Sequence, residues 1–320
     1  MPLLEVTDLR TYYYTLRGVV RAVDGVSFTL DRGETLGIAG ESGCGKSTLA
    51  WSILRLVPPP GRIVGGSIKI DGMDITKMSE AELRRKVRWR KVSMIFQGAM
   101  NAFNPVLKVG DQVIEPLLLH TDMSKEEAWA KAEEMVQHVG LPPEILERYP
   151  HELSGGQKQR LVIAMAILLE PDIVIADEPT TALDVVIQAQ ILNLMKRLYR
   201  EKKMSIILIT HDLSVIAELA EKTAIMYAGK IVEYGPSDAV FENPLHPYTQ
   251  ALLRAVPRLR GPKERLIYIP GSPPDLRNPP RGCRFYPRCE KRFEPCDREE
   301  PPMVEAEKGH FVACWLYARR

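Results

Sequence analysis

The sequence predicts an α/β fold built on a parallel sheet, with a strand-rich edge at its start, a helical insertion in its middle and a loop-rich extension at its end. Three observations predict it. Apolar runs of strand length, such as Thr35 to Ala39, Val92 to Phe96 and IVIAD at 173–177, alternate with helical patterns. A glycine-rich turn, GESGCGKST at 40–48, joins the first of these runs to the helical pattern Leu49 to Leu56. Composition then shifts near residue 244, and thirteen of the 25 prolines lie between Pro244 and Pro302.

Bulk properties bound the class. At 320 residues, 45% hydrophobic and 26% charged, the chain reads as a soluble globular protein of one large domain and one smaller one. No apolar run approaches the roughly 20 residues that span a bilayer. The start, MPLLEVTDLR, carries acids early and lacks a basic region before an apolar core, so it does not read as a signal peptide and a cytoplasmic location is expected. A net charge of +2 gives no electrostatic mandate for nucleic acid, and none is expected as a partner. The charge is uneven: residues 254–320 hold 15 Lys+Arg against 9 Asp+Glu, about +6, which leaves the preceding chain about −4. Either a solvated face or a surface near anionic lipid headgroups accounts for that tail.

In chain order, residues 3–37 alternate apolar and polar in blocks, with Asp24-Gly25 and Arg32-Gly33 read as turns. Tyr12, Tyr13 and Tyr14 fall here, and either pack or supply a ring that stacks on a nucleobase. The prolines at 58–60 end the helix after the glycine-rich turn, GGSIKIDGMDIT reads as strand and turn, and Ser79 to Trp89 as a basic helix. Val92 to Phe96 delivers Gln97, and the periodicity then turns helical for about sixty residues. Ser124 to Glu127 is a capping box, and Gly140 with the prolines at 142 and 143 closes its helix. At HELSGGQKQR, Ser154 is placed as an N-cap before a buried helix. The apolar strand IVIAD brings Asp177 and Glu178 to its C-terminal end, the edge where ligands of open parallel sheets gather. After a helix at roughly 185–200, SIILITHD brings His211 to the same edge, and a helix and hairpin turning at Ala-Gly-Lys close the unit. HPYTQALLRAVPRL is the one clear helix of the extension.

The glycine-rich turn fits the phosphate-binding pattern Gly-x-x-x-x-Gly-Lys-Ser without a substitution. Gly40, Gly43 and Gly45 let backbone N–H groups curl around an oxyanion at a helix N-terminus. Lys46 then reaches the outer phosphates of a nucleotide and the Ser47 hydroxyl ligates Mg2+.

Five motifs in fixed order, GESGCGKST, Gln97, LSGGQ at 153–157, Asp177-Glu178 and His211, resemble the nucleotide-binding subunit of ATP-binding cassette (ABC) transporters over residues 1 to about 240. That resemblance implies a RecA-like phosphate-loop NTPase core with an antiparallel β edge and a helical subdomain at about 98–165, within a nucleotide-binding domain of residues 1–243. It implies ATP hydrolysis by two such subunits closed head to tail, each ATP lying between one subunit's phosphate loop and the other's LSGGQ. Ser42, Gly43, Cys44, Gly45, Lys46, Ser47 and Thr48 are then the ATP cradle. Ser47 and Gln97 are Mg2+ ligands, and Asp177 holds the metal through its water shell. Glu178 orients or deprotonates the attacking water, while His211 contacts the γ-phosphate and holds Glu178. Ser154, Gly156 and Gln157 face the partner's γ-phosphate, Arg148 reaches the partner's nucleotide and Asp184 couples the subunits. Tyr13 aligns best with the adenine-stacking aromatic; Tyr12 and Tyr14 stay open.

The C-terminal segments HPYTQALLRAVP, IPGSPPDL and GCRFYPRCEKRFEPC resemble the extension of oligopeptide and dipeptide permease ATPases, here residues 244–320. This implies a role in importing peptides at the cytoplasmic face of the membrane. The implied partners are a second related ATPase, two transmembrane permease subunits, received around Gln97 to His120, and an extracytoplasmic substrate-binding protein. Relatives serving nickel, glutathione or oligosaccharides keep other cargoes open, and a soluble non-transport ABC ATPase is the remaining alternative. Cys283, Cys289, Cys296 and Cys314, spaced C-x5-C-x6-C-x17-C, lie in a segment with too few regular elements to bury its own core. A reducing cytoplasm disfavours disulfides, and the spacing lacks C-x2-C zinc knuckles. Some relatives bind a 4Fe-4S centre at matching cysteines, which makes a structural 4Fe-4S cluster the expected group, with zinc or free thiols as alternatives.

Overall fold

The computed structural model describes residues 1–320 apart from 99–100, 182, 256–268 and 319–320. Positions 99–100 of the stretch expected to receive permease subunits, 182 of the segment around Asp184, and 256–259 of HPYTQALLRAVPRL therefore lie outside the described residues.

The chain begins with β1 (Leu4–Thr15), β2 (Gly18–Leu30), β3 (Thr35–Ala39), α1 (Lys46–Ile53), β4 (Gly61–Ile70) and β5 (Met73–Asp74). Then come α2 (Glu80–Lys86), β6 (Val92–Ile95), α3 (Val109–His120), α4 (Lys125–His138), α5 (Gly155–Ile167), β7 (Ile173–Asp177), α6 (Val185–Lys202) and β8 (Ser205–Ile209). Last are α7 (Leu213–Leu219), β9 (Lys222–Tyr227), β10 (Lys230–Pro236), α8 (Ser237–Glu242), α9 (Pro247–Arg254), β11 (Val304–Glu307), β12 (His310–Val312) and α10 (Trp315–Ala318). No helix among the described residues is long and apolar enough to cross a membrane. The chain divides into two compact units, Met1–Leu30 with Thr35–Thr76 and Leu208–Arg320, and Asp31–Glu34 with Lys77–Ile207.

In the first unit, β2-β1-β4-β5 form the expected antiparallel edge, with Leu4 opposite both Leu30 and Ile70. Asp24-Gly25, read from the sequence as a turn, instead lies inside β2. The register shifts there, Leu9 facing Val26 and Arg10 facing Asp24, and Gly25 takes φ 79. This is a bulge, which uses a glycine for the same left-handed backbone that a turn does. A second sheet contains β11-β12-β10-β9-β3 in that order. β3 and β9 are parallel, with Leu36 opposite Lys222, whereas β9 and β10 form the expected hairpin. Gly37 of β3 lets α7 approach: a Cβ there would lie 2.3 Å from Ile216 Cγ2. The extension is more regular than its proline content predicts, because β11 and β12 extend this sheet and Tyr234 of β10 pairs with Phe311.

In the second unit, β6 and β7 are parallel, with Val92 opposite Ile173. All five residues of β7 are buried, as an unbroken apolar run requires in a covered parallel sheet. Burying each such side chain contributes about 1.5–3 kcal/mol, enough to hold Asp177 at the strand's end only 1% exposed. Helices α3, α4 and α5 bury one another's apolar faces through Leu117, Val136 and Leu161. The capping box predicted at Ser124 is present: Ser124 Oγ accepts from Glu127 N at 3.2 Å and Glu127 returns the bond at 2.8 Å.

Candidate nucleotide site and cysteine-lined cavity

The predicted site residues divide between the two units. The first holds the phosphate loop, Tyr13, His211 and the four clustered cysteines; the second holds Gln97, Arg148, LSGGQ, Asp177, Glu178 and Asp184.

In the loop, α1 begins at Lys46, three residues before the apolar pattern starts, and no side chain caps it. Its N-cap is Gly45 with φ 108. A Cβ on Gly45 would lie 2.1 Å from Ala22 O and one on Gly40 2.1 Å from Met226 O, so packed backbone as well as conformation demands glycine. An uncapped helix start with its N–H groups leading out of a glycine loop is an anion site. Lys46 is 7% exposed, and its Nζ donates to Gly40 O at 2.7 Å and Glu41 O at 3.0 Å. The ammonium is held by neutral carbonyls rather than by a carboxylate, so the donor set fits the phosphates of ATP. Ser47 is half-buried, Thr48 buried, and Ser42 and Gly43 exposed. Cys44 is buried, and burial pushes its thiol up; its carbonyl accepts from Gly229 N at 2.8 Å.

The three tyrosines have separate surroundings. The Tyr12 hydroxyl donates to Asp24 at 2.6 Å, Tyr14 is 48% exposed beneath Arg62, and the Tyr13 hydroxyl lies 3.4 Å from Thr48 Oγ1 on α1. His211 is exposed at the start of α7, where Asp212 caps the helix by accepting from Ser214 N at 2.9 Å.

Two residues that the motifs do not mark also hold the loop. Arg288 pairs with Glu41 through both guanidinium nitrogens at 2.6 and 2.9 Å, and Tyr248 Oη accepts from Glu41 N at 2.9 Å. Tyr248 packs on Tyr227 and Phe285, with ring centroids 4.5 and 5.4 Å away. The HPY triplet hints at Tyr248, but nothing local marks a pair separated by 247 residues.

In the second unit, Glu178 Oε2 accepts from Gln97 Nε2 at 3.0 Å and from Thr181 Oγ1 at 2.9 Å. Thr181 is another residue that the motif reading missed, though its place in EPTT is close by. Glu178 has φ 48, a left-handed backbone that costs a non-glycine residue about 1–3 kcal/mol and gathers at functional sites. Asp177 precedes it at the end of buried β7. Ser154 caps α5 as expected, and in return Gln157 Oε1 accepts from Ser154 N at 2.9 Å. Asp184 caps α6, accepting from Val186 N at 3.1 Å and Ile187 N at 3.0 Å. A Cβ on Gly156 would lie 3.0 Å from Ile187 Cγ2, so the starts of α5 and α6 abut. Arg148 is exposed, and its carbonyl accepts from Val109 N at 2.9 Å.

The extension brings its four cysteines together. Cys283, Cys289, Cys296 and Cys314 line one cavity beside His246 and Trp315. All are free thiols, and burial pushes Cys283 up to about 12 and Cys314 up to about 11. Among the described residues, no three His, Cys, Asp or Glu side chains converge as they would around one metal ion.

Comparison with known proteins agrees with these motifs. The ABC transporter family model matches residues 23–181, and that of the oligopeptide/dipeptide transporter C-terminal region matches 232–296. The chain is 49% identical to the dipeptide transport ATP-binding protein DppD of Bacillus subtilis, over 99% of this chain and 95% of that one. It is 48% identical to the oligopeptide transport ATP-binding protein OppD of Escherichia coli, over 98% of this chain and 93% of that one. Among solved structures, the dimeric ATP-binding cassette MJ0796 in a post-hydrolysis state bound to ADP and Pi matches with a TM-score of 0.64 and 29% identity, over 73% of this chain and 98% of that one. The complete set of cassette motifs on an α/β ABC ATPase fold, with near full-length identity to such subunits, means that this chain belongs to the ATP-binding subunits of the oligopeptide/dipeptide branch of ABC transporters.

Proposed function

We propose that this chain hydrolyses ATP to energise the import of dipeptides or oligopeptides through a membrane ABC transporter. The observation that carries this reading is that its similarity to peptide-transport ATP-binding proteins runs through both the cassette motifs and the C-terminal region. A nucleotide-binding domain of residues 1–243 does the chemistry, and an extension of 244–320 is held against the phosphate loop by Arg288 and Tyr248.

Lys46 and the first-turn N–H groups of α1 neutralise the β- and γ-phosphates. Ser47, Gln97 and Asp177 hold Mg2+, which when bound spreads the charge developing on the transferred phosphoryl group. Glu178 takes the proton of the attacking water, and its hydrogen bonds from Gln97 and Thr181 aim the carboxylate. His211 positions Glu178. Tyr13, whose hydroxyl reaches Thr48, stacks on adenine. Ser154, Gly156, Gln157, Arg148 and Asp184 act on the nucleotide of a second, related ATPase subunit closed head to tail on this one. Two permease subunits dock near 97–120, where Val106, Leu107 and Leu119 are exposed apolar side chains at 75, 47 and 71%. An extracytoplasmic binding protein supplies the cargo, and the chain works as a peripheral subunit at the cytoplasmic face.

The cysteine cavity holds a 4Fe-4S cluster with a structural role, zinc being the second reading. The support for this reading is the donor set, four cysteines lining one cavity as a cubane cluster requires. Reconstitution of the full transporter in vesicles tests the function. ATP hydrolysis and uptake stimulated by peptide-loaded binding protein are expected; stimulation by nickel, glutathione or oligosaccharide but by no peptide overturns the cargo.

A further inference from the structure

His246 lines the cysteine cavity, is 1% exposed, and takes no part in the nucleotide chemistry. Its place is fixed from two sides. Its backbone N donates to Glu233 Oε2 at 2.8 Å, and Glu233, itself fully buried, also accepts from Leu245 N and from His310 Nε2, each at 2.8 Å. Its side chain caps α9, with Nδ1 accepting from Tyr248 N at 3.0 Å.

That cap settles the tautomer. A nitrogen that accepts a backbone N–H carries a lone pair, so the imidazole proton sits on Nε2. Nε2 is buried and has no hydrogen-bond partner among the described residues. Buried donors are in the large majority paired, so an unpaired one at the wall of a cavity points to an acceptor within it. The same cap argues against His246 as a direct metal ligand, because Nε2 can offer its lone pair only if the proton moves to Nδ1, onto the Tyr248 N–H.

We propose that His246 is a positioning residue of the cysteine centre, donating its Nε2–H to a sulfur atom of the metal group that Cys283, Cys289, Cys296 and Cys314 hold. The inference rests on the metal-centre reading above. An N–H···S bond favours the more negative, reduced state of an iron–sulfur cluster and slows loss of metal.

Two substitutions separate this role from helix capping. His246→Asn keeps an oxygen where Nδ1 accepts from Tyr248 but leaves no donor at the Nε2 position, whereas His246→Gln keeps a donor near the Nε2 position and gives up the cap. Full-length protein is reconstituted anaerobically with iron and sulfide, then followed by iron content, redox titration of the visible band and release of iron to a chelator. Expected for His246→Asn are a midpoint shifted to more negative potential and release faster by about tenfold or more, with His246→Gln lying closer to wild type. Wild-type potential and release rate in His246→Asn overturn the proposal alone. A wild-type protein that takes up zinc instead moves the comparison to zinc release, where equal rates overturn it. Uptake of neither metal by the wild type overturns the cluster reading and this proposal together.

Discussion

The Arg288 guanidinium grips both carboxylate oxygens of Glu41, at 2.6 and 2.9 Å, and so ties the C-terminal extension to the second residue of the phosphate loop. An acid in a loop that receives phosphates is an electrostatic liability, and Arg288, its side chain only 5% exposed, compensates it. Arg288 adjoins Cys289, so the cysteine cavity and the phosphate loop are one residue apart along this strut.

Arg288→Ala leaves the Glu41 charge uncompensated, and ATP binding should weaken by on the order of 1 kcal/mol, about five- to tenfold in Kd. Adding Glu41→Gln should restore most of the affinity. Nucleotide titration of the single and double variants checks this; a double variant no better than the single one refutes charge compensation.

Glu178→Gln retains an oxygen able to accept from Gln97 and Thr181 but loses the base. Turnover in the assembled transporter should fall by about 10²–10⁴ with ATP affinity little changed, and the ATP-bound subunit pair should persist. Lys46→Ala should instead weaken binding itself. Single-turnover hydrolysis alongside equilibrium binding distinguishes the two, and near-normal hydrolysis by the Gln variant removes Glu178 from its role.

Ser154→Ala removes the cap of α5, which costs about 1 kcal/mol of stability. Gln157→Ala removes the reciprocal half of the same capping box. If Ser154 also meets the partner's γ-phosphate, its substitution lowers hydrolysis in the assembled pair well beyond that loss of stability. Equal thermal and kinetic deficits would reduce Ser154 to a cap.

Asp24 provides the pH test. Burial alone would raise its carboxyl, but the Tyr12 hydroxyl, Arg284 and Lys230 outweigh it and hold the group below its ordinary value of 3.8. A carboxylate with a depressed folded pKa adds stability that is complete above its unfolded pKa and lost as pH falls through the folded one. Thermal stability should therefore drop as pH goes below about 4. Asp24→Asn should lose about 3–5 kcal/mol at neutral pH, because Arg284 is left buried without its partner, and should flatten the acid limb. An unchanged acid limb in Asp24→Asn assigns that titration elsewhere.

Cys→Ser at 283, 289, 296 or 314 should release the metal and loosen the extension, while ATP binding at Lys46 survives. Metal analysis and visible absorption after anaerobic purification check it. A colourless protein with stoichiometric zinc and no iron or sulfide excludes the cluster.

The sequence by itself determined whatever short-range pattern encodes. The phosphate loop, the Ser124 and Ser154 capping boxes, the buried strand ending in Asp177 and the hairpin at Ala228-Gly229 are each contiguous, and each was legible because its backbone geometry restricts the local residues. Asp24-Gly25 was misread because glycine marks a left-handed backbone without saying whether it serves a turn or a bulge. Only the tertiary structure decided the rest. Arg288 with Glu41, Arg284 with Asp24, Tyr248 beneath the loop, β12 beside β10 and His246 among the cysteines join residues far apart in the chain. A charge pair or a shared cavity imposes no spacing on the sequence; it exists only when folding brings the groups together and removes the water between them.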